Sequence, residues 1–180
     1  MRVMRRLFGV LVSSLLVLGG CRDRAAIAAQ ADPNVFVASL IRGTTSDADL
    51  AMMASSRGRL PETKVVAAAI GRESAALGAE LTRLGRQRNL ALPQPQDEKR
   101  VALKENLSIL RPELFDQAYA LAMVQETADR LRTIDAARRT KDADLRQLAL
   151  RHRPAMIEEQ RAAKNLLAHT GGAPWPGFAP

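Results

Sequence analysis

Ionisable side chains interrupt the apolar positions of the long helical segments that this sequence predicts. Each of them lies three, four or seven residues from an apolar neighbour, which is the spacing of one helix face. The residues concerned are Asp47, Glu73, His152 and Glu159, together with Thr127 and the adjacent Glu126. A buried carboxylate costs free energy unless it is paired, protonated or bound to a metal. This inner polar layer is therefore the candidate site of the chain.

Three interpretations of the layer are open. In the first, the carboxylates are structural and meet arginines such as Arg72, Arg130, Arg132 or Arg153. In the second, a divalent metal is bound by oxygen ligands from Asp47, Glu73, Glu126 and Glu159. In the third, the helix phase is misjudged and these groups face water. Di-iron bundles use Glu-x-x-His pairs, which this chain lacks. No nucleophile or cofactor motif occurs either, so we predict neither an enzyme nor a bound cofactor.

Four long amphipathic segments must position these side chains. Asp32-Pro33, Pro61 and Pro112 favour helix starts, since Asp caps a helix and Pro fits its first turn. The predicted long helices run from Pro33 to about Ser56, from Pro61 to about Arg88, from Pro112 to about Arg139 and from Lys141–Ala143 to about Ala168. A short extra helix, from Asp97 to Leu110, is expected between the second and third.

The composition agrees with an all-α four-helix bundle. Ala and Leu are abundant, aromatic residues make up 3% of the chain, and no strand pattern competes. The sequence predicts a weak point in the first helix at Gly43-Thr44-Thr45 and a kink or short break in the last at Pro154. We assign residues 32–169 to the bundle. The Pro- and Gly-rich tail 170–180, which contains Trp175 and Phe178, is expected to be disordered.

The N-terminus carries an export signal. Arg2, Arg5 and Arg6 precede an apolar run over residues 7–18, and small residues lead to Cys21. The segment Leu18-Gly19-Gly20-Cys21 resembles the bacterial lipobox, which implies removal of residues 1–20, lipidation of Cys21 and a tether over 21–31. A plain secretory signal and an anchor helix are the alternatives, although the run is shorter than the roughly 20 apolar residues that cross a bilayer.

The predicted location follows from the same segment. By resemblance to sorting in Gram-negative envelopes, Arg22 after the cysteine implies an outer-membrane lipoprotein that faces the periplasm. Cys21 is the only cysteine, so no disulfide forms within the chain. Of the formal charge of +8, the three signal arginines would be lost, which leaves about +5. We expect attraction to anionic envelope components rather than to nucleic acid, or simply a solvated basic surface.

Several short stretches together resemble a known family. They are Phe36-Val37, Asp47-Ala48-Asp49-Leu50, Leu60-Pro61-Glu62-Thr63-Lys64-Val65, Phe115-Asp116-Gln117-Ala118-Tyr119, Met123-Val124 and Arg153-Pro154. On these residues the chain resembles the ferritin-like bacterial lipoproteins and exported proteins grouped as domain of unknown function 4142. The resemblance covers about residues 33–168. It implies a ferritin-like four-helix bundle and brings no settled biochemical activity.

This chain departs from the pattern of the family that it resembles. That family typically has histidines in its second, third and fourth long helices, where this chain has Glu73, Thr127 and Glu159. The sequence therefore predicts a lipid-anchored envelope bundle with a binding or structural role. The alternative is a ferritin-like metal-binding or redox protein that uses the inner carboxylates.

Overall fold

A computed structural model describes residues 32–91 and 98–171, and all the secondary structure in these two stretches is helical. There are four long helices and one short one. They are α1 (Pro33–Arg57), α2 (Pro61–Gln87), α3 (Glu98–Ser108), α4 (Pro112–Ala137) and α5 (Ala143–His169). Each lies within a few residues of its predicted bounds, so the all-α prediction and the helix order are confirmed.

Proline and aspartate set the helix starts, as predicted. Asp32 caps α1 by accepting a hydrogen bond from the backbone N–H of Asn34 at 2.9 Å, and Pro33 follows in the first turn. Asp142 caps α5 in the same way through the N–H of Leu145 at 3.0 Å. These caps satisfy amide groups that have no partner inside the helix, and such a cap stabilises a helix by about 1 kcal/mol.

The long helices form two hairpins, α1 with α2 and α4 with α5, and α1 also packs on α4 while α2 packs on α5. The Arg57 guanidinium at the end of α1 donates to the carbonyls of Ser108 and Leu110, just before α4 begins. Arg88, after α2, contacts Asp142 at the start of α5. Hence α2 and α4 run in the same direction, and α3 belongs to the crossover between them.

The apolar faces meet in two adjoining clusters. One contains Leu50, Ile70, Phe115, Tyr119 and Met123, and the other contains Leu40, Leu77, Leu81, Ile134 and Met156. The rings of Phe115 and Tyr119 are stacked with centroids 6.1 Å apart, and the Arg57 guanidinium lies 5.2 Å from the Phe115 ring. Phe36 and Leu131 are partly buried at the edge of the second cluster.

The predicted weak point of the first helix and the predicted kink or break of the last both lie within continuous helices. The helix α1 is continuous through Gly43-Thr44-Thr45, where the hydroxyls of Thr44 and Thr45 donate to helix carbonyls one turn earlier. Similarly, α5 is unbroken through Pro154. An isolated proline removes one N–H from a helix, and packing of the flanking turns holds the remaining backbone hydrogen bonds in place.

A side chain from the second hairpin caps the turn of the first. The start of α2 has no side-chain cap of its own. Instead, the Asp116 carboxylate of α4 accepts hydrogen bonds from the backbone N–H of Arg59 at 3.1 and 3.2 Å and of Leu60 at 3.3 Å. Asp116 belongs to the Phe-Asp-x-x-Tyr element, so this motif joins the two hairpins.

Some predictions concern other parts of the chain. The signal segment 1–20, the tether over 21–31 with Cys21, and the tail beyond Gly171 lie outside the described residues. Within the described stretches, none of the helices combines the length and hydrophobicity that a membrane span requires.

Candidate functional site: a buried arginine cluster

One arginine side chain bridges all four long helices. Arg130 of α4 is 4% exposed. Its Nη1 donates to the Asp47 carboxylate of α1 and, at 2.9 Å, to the Ser74 hydroxyl of α2, while its Nη2 donates to the Glu159 carboxylate of α5. The guanidinium group suits this position because its donors are fixed in one plane and it stays charged when buried.

The cluster contains polar atoms that its own side chains do not satisfy. Among the described residues, Asp47 Oδ1, Glu159 Oε1, Arg130 Nε and the Tyr119 hydroxyl are buried without a hydrogen-bond partner. A buried polar atom without a partner costs about 1–3 kcal/mol. Since both carboxylates leave one oxygen without a donor, the cluster favours the neutral form of one of them.

The pKa values of the buried carboxyl groups agree with this. Burial raises the pKa of Glu159 to about 7, although the Arg130 charge opposes the shift, and the Asp47 and Glu73 charges add to it. Burial likewise raises the pKa of Asp47 against the opposing effects of Arg130 and Arg100. Burial also raises the pKa of the Tyr119 hydroxyl, with the nearby Asp47 and Glu159 charges adding to the shift.

Glu126 makes no hydrogen bond with Arg130 among the contacts described above, and pairs with Arg100 instead. It is buried on α4 and meets the Arg100 guanidinium of α3 at 3.3 Å. Burial raises its pKa, and the Arg100 charge acts in the opposite direction. The short crossover helix therefore contributes a cation to the inner polar layer, which the sequence alone did not indicate.

Glu73 lies at the side of the bundle, where it is half-buried and contacts His152. Its Oε1 is 2.5 Å from His152 Nδ1, and the other ring nitrogen is 3.2 Å from Glu80. Glu80 in turn accepts a hydrogen bond from Arg151 at 2.5 Å, and this contact is the main reason why its pKa is lowered. This chain of contacts joins α2 to α5.

Two clefts reach the cluster from outside. One, of about 410 Å³, lies between α1, α3 and α4 and is lined by Arg100, Glu126 and Arg130 among others. The other, of about 690 Å³, lies between α2 and α5, and Glu73 and Glu159 line it between alanine side chains. Water and protons therefore have a short path to the buried carboxyl groups.

The structure thus distributes the four predicted carboxylates over three places. Asp47 and Glu159 share Arg130, Glu126 pairs with Arg100, and Glu73 pairs with His152. Asp47, Glu126 and Glu159 are buried, so the interpretation that these side chains face water is wrong for them. Thr127 is buried too, but its hydroxyl donates to the Met123 carbonyl of its own helix at 2.6 Å.

The donor set does not fit a divalent metal. The Arg130 guanidinium lies between Asp47 and Glu159, where a cation would have to bind. In the two described stretches, no group of three or more His, Cys, Asp or Glu side chains is arranged to hold a metal ion. What the arrangement provides is a buried salt-bridge cluster in which burial raises the pKa of one carboxyl group, that of Glu159, to about 7.

The sequence indicates Arg130 only as one of four arginines that the inner carboxylates could meet. Ser74, Arg100 and the Tyr119 hydroxyl were not anticipated as parts of the layer. Ser74 does fall on the inner face of α2, four residues after Ile70, and this spacing is a signal in the sequence. Arg100 has no comparable signal, because its position depends on the path of the crossover.

These features define an all-helical bundle that is held at its centre by a buried ion-pair cluster. The family described as "Domain of unknown function (DUF4142)" matches residues 22–166. Since the match covers most of the chain, this protein belongs to that family, which confirms the resemblance seen in the sequence. No curated protein matches the chain, and no solved structure matches it.

Proposed function

We propose that this protein is a lipid-anchored component of the bacterial cell envelope, whose bundle has a binding or structural role rather than a catalytic one. The observation that carries the proposal is the order of the N-terminus, in which basic residues, an apolar run and two glycines lead to Cys21. The family match begins at the next residue, Arg22. Lipidated at Cys21, the bundle would face the periplasm, and Arg22 favours the outer membrane.

The arginine cluster supports a role without catalysis. Its charged groups are directed at each other and are almost entirely buried, with Asp47, Arg130 and Glu159 no more than 5% exposed. A catalytic carboxylate has to reach its substrate within hydrogen-bond distance. Although Glu159 lines the cleft between α2 and α5, one oxygen of Glu159 and one of Asp47 accept hydrogen bonds from Arg130, so these charges join helices of the bundle.

Replacing the cysteine tests the anchor directly. A Cys21→Ser variant, expressed in a bacterial host with its signal intact, should lose the attached lipid and the salt-resistant association with membranes. The measurement is the fraction of protein in the membrane pellet after a high-salt wash, together with the mass of the mature N-terminal peptide. A variant that still sediments with the membranes after the wash would overturn the anchor proposal.

A ferritin-like relationship is supported by topology. Two helical hairpins joined by a crossover, with α2 and α4 running in the same direction, are the arrangement of ferritin-like folds. We infer that this chain keeps that arrangement and has replaced the metal-binding side chains of such bundles with an ion-pair cluster. The unsatisfied oxygens of Asp47 and Glu159 are the observation that favours the alternative metal-binding or redox protein.

Metal content decides between these possibilities. We expect the purified chain to contain no stoichiometric iron, manganese or zinc, because Arg130 lies where the metal would bind. The measurement is elemental analysis of the parent and of Glu73→Ala and Glu159→Ala variants. Metal that is stoichiometric in the parent and lost in both variants would establish the metal-binding alternative.

A further inference from the structure

One end of the bundle combines the entry of the chain with a concentration of positive charge. The salt bridge from Arg88 to Asp142, at 2.6 Å, joins the end of α2 to the start of α5. Val35 near the start of α1 and Leu90 after α2 line the same surface hollow. The turn from α4 to α5 completes this end. We call residues 32–38, 83–91 and 135–146 the basic end.

The basic end has an excess of cations. Its three segments contain seven Arg or Lys residues and four Asp residues, whereas the corresponding segments of the opposite end, 55–64, 108–116 and 165–171, contain four Arg or Lys residues and three acidic ones. With a rise of 1.5 Å per residue, the charged side chains of the basic end start within about one helical turn of the end of the bundle. They therefore lie together at one end of the bundle.

The acidic residues at this end are already engaged. Asp32 caps α1, Asp135 accepts hydrogen bonds from Arg138 and Arg153, and Asp142 and Asp144 pair with Arg88. The other cations of the basic end make no salt bridge with a carboxylate of the described residues. They are Arg83, Arg86, Arg139, Lys141 and Arg146, of which Arg83 donates to the uncharged Gln87 side chain and Arg146 donates to backbone carbonyls. Their charge is available to an external anion.

An apolar patch lies next to these cations. The Val35 side chain is 60% exposed, and it borders a hollow of about 310 Å³ that Val37, Ile41 and Leu90 also line. Cations at the same end of the bundle as a small apolar patch suit the boundary of a bilayer, where phosphate groups lie above the acyl chains. A nucleic acid or a soluble polyanion offers no counterpart for the apolar patch.

We propose that the basic end docks onto an anionic phospholipid surface and holds the bundle upright on the membrane. The proposal rests on the anchoring of Cys21 proposed above, since the chain enters the bundle at this end. Eleven residues separate Cys21 from Pro33, and they reach at most about 40 Å. The 27 residues of α2 span about 40 Å as well. Attachment through Cys21 alone therefore does not fix the orientation of the bundle relative to the membrane. The charges of the basic end favour the orientation in which that end faces the membrane.

Energy transfer to labelled lipid measures this orientation. A donor dye is attached to the full chain through Gln87→Cys at the basic end or through Ser56→Cys at the opposite end, both at exposed positions. The chains are reconstituted into phosphatidylcholine vesicles with and without phosphatidylglycerol, with an acceptor dye on the lipid head groups. We expect strong transfer from position 87 and weak transfer from position 56 in the anionic vesicles only.

Two matched variants show whether the charges are responsible. The test variant combines Arg86→Gln, Arg139→Gln and Lys141→Gln, and the control combines Lys64→Gln, Arg111→Gln and Lys164→Gln, which removes the same charge elsewhere. All six side chains are exposed. Each cation near an anionic surface strengthens binding about fivefold. The test variant should therefore populate the docked orientation on the order of 100-fold less, while the control keeps it. Salt raised from about 0.1 to 1 M should act like the test variant.

The outcomes separate docking from anchoring. Equal transfer from the two positions in anionic vesicles, or a control variant that fails as completely as the test variant, would overturn the docking proposal. Failure of the parent chain to float with vesicles at high salt would overturn the anchor instead. In that case flotation at low salt tests docking. We expect flotation that requires both phosphatidylglycerol and the three basic side chains, and a parent chain that does not float under these conditions would overturn docking too.

Discussion

Glu159→Gln should make the protein more stable at neutral and alkaline pH. The parent chain buries a carboxyl group whose Oε1 has no hydrogen-bond donor among the described residues and whose pKa is raised by burial to about 7. Glutamine has nearly the same shape, accepts the Arg130 hydrogen bond through its oxygen, and carries no charge. The substitution therefore removes the cost of ionising this position inside the bundle.

The magnitude follows from linkage. The pKa of Glu159 is about 7 in the folded chain and 4.5 as its ordinary value. Because the folded value is the higher one, the folded state holds the extra proton, and stability falls as pH rises between 4.5 and 7. One pKa unit corresponds to about 1.4 kcal/mol, so the whole interval amounts to roughly 3 kcal/mol. Below about pH 4 the substitution should change stability little, and near pH 8 it should add roughly this amount.

The proton belongs to the cluster as well as to Glu159. Asp47 shares the Arg130 guanidinium, and its pKa is also raised by burial. When Glu159 becomes an uncharged glutamine, Arg130 has Asp47 as its one charged hydrogen-bond partner, which favours ionised Asp47. We therefore do not expect Asp47 to take over the titration, and the pH dependence over this interval should disappear rather than move to another residue.

Urea denaturation of the parent and of Glu159→Gln, from about pH 4 to pH 8, measures the change in stability. The quantity of interest is the difference in free energy of unfolding between variant and parent at each pH, since the contributions of other titrating groups cancel in it. Glu158→Gln is the matched control, because Glu158 is the adjacent residue and its side chain is 59% exposed. If the free energy of unfolding of Glu159→Gln changes with pH in parallel to that of the parent, the reasoning is refuted. That result would mean that Arg130 fully compensates the cost of burying an ionised Glu159.

Three other substitutions give predictions that differ in sign. Arg130→Met should destabilise the protein by about 3–5 kcal/mol in denaturation experiments, because it leaves two buried carboxylates without their cation; a loss below about 1 kcal/mol would show that the cluster is not a structural centre. Gly43→Ala should stabilise by about 0.5–1 kcal/mol, since α1 is continuous there and the new methyl group would lie 3.9 Å from Arg100 Nη2. Gly58→Ala should destabilise by about 1–3 kcal/mol, since its methyl group would lie 2.7 Å from the Ala54 carbonyl oxygen. Melting temperatures that move in the same direction for both glycines would contradict this pair.

The helices could be predicted from the sequence because their signals are local. Asp32-Pro33, Pro61 and Pro112 place three helix starts, and the 3.6-residue spacing of apolar side chains identifies the buried faces. These signals depend on a few neighbouring residues, so they need no knowledge of the tertiary structure. The weak point predicted at Gly43-Thr44-Thr45 does not interrupt α1, because packing against the neighbouring helices outweighs weak local helix propensity.

The partners in the polar layer could not be predicted in the same way. The spacing places Asp47 and Glu159 on inner faces, but Arg130 is 83 residues from Asp47 and 29 from Glu159. Which arginine reaches a given carboxylate depends on the rotation and height of each helix, and sequence periodicity does not fix these. Glu126 illustrates this, since its partner Arg100 comes from the crossover helix.

The position of Asp116 has a consequence for how the chain folds. The first hairpin turns at Arg59 and Leu60, whose amide groups are satisfied by this carboxylate from the second hairpin. A fragment that contains α1 and α2 alone would leave these amides to water and lose the register of its own turn. The turn of the first hairpin thus depends on the second hairpin, and we expect the two hairpins to be acquired, and lost, in a single cooperative transition.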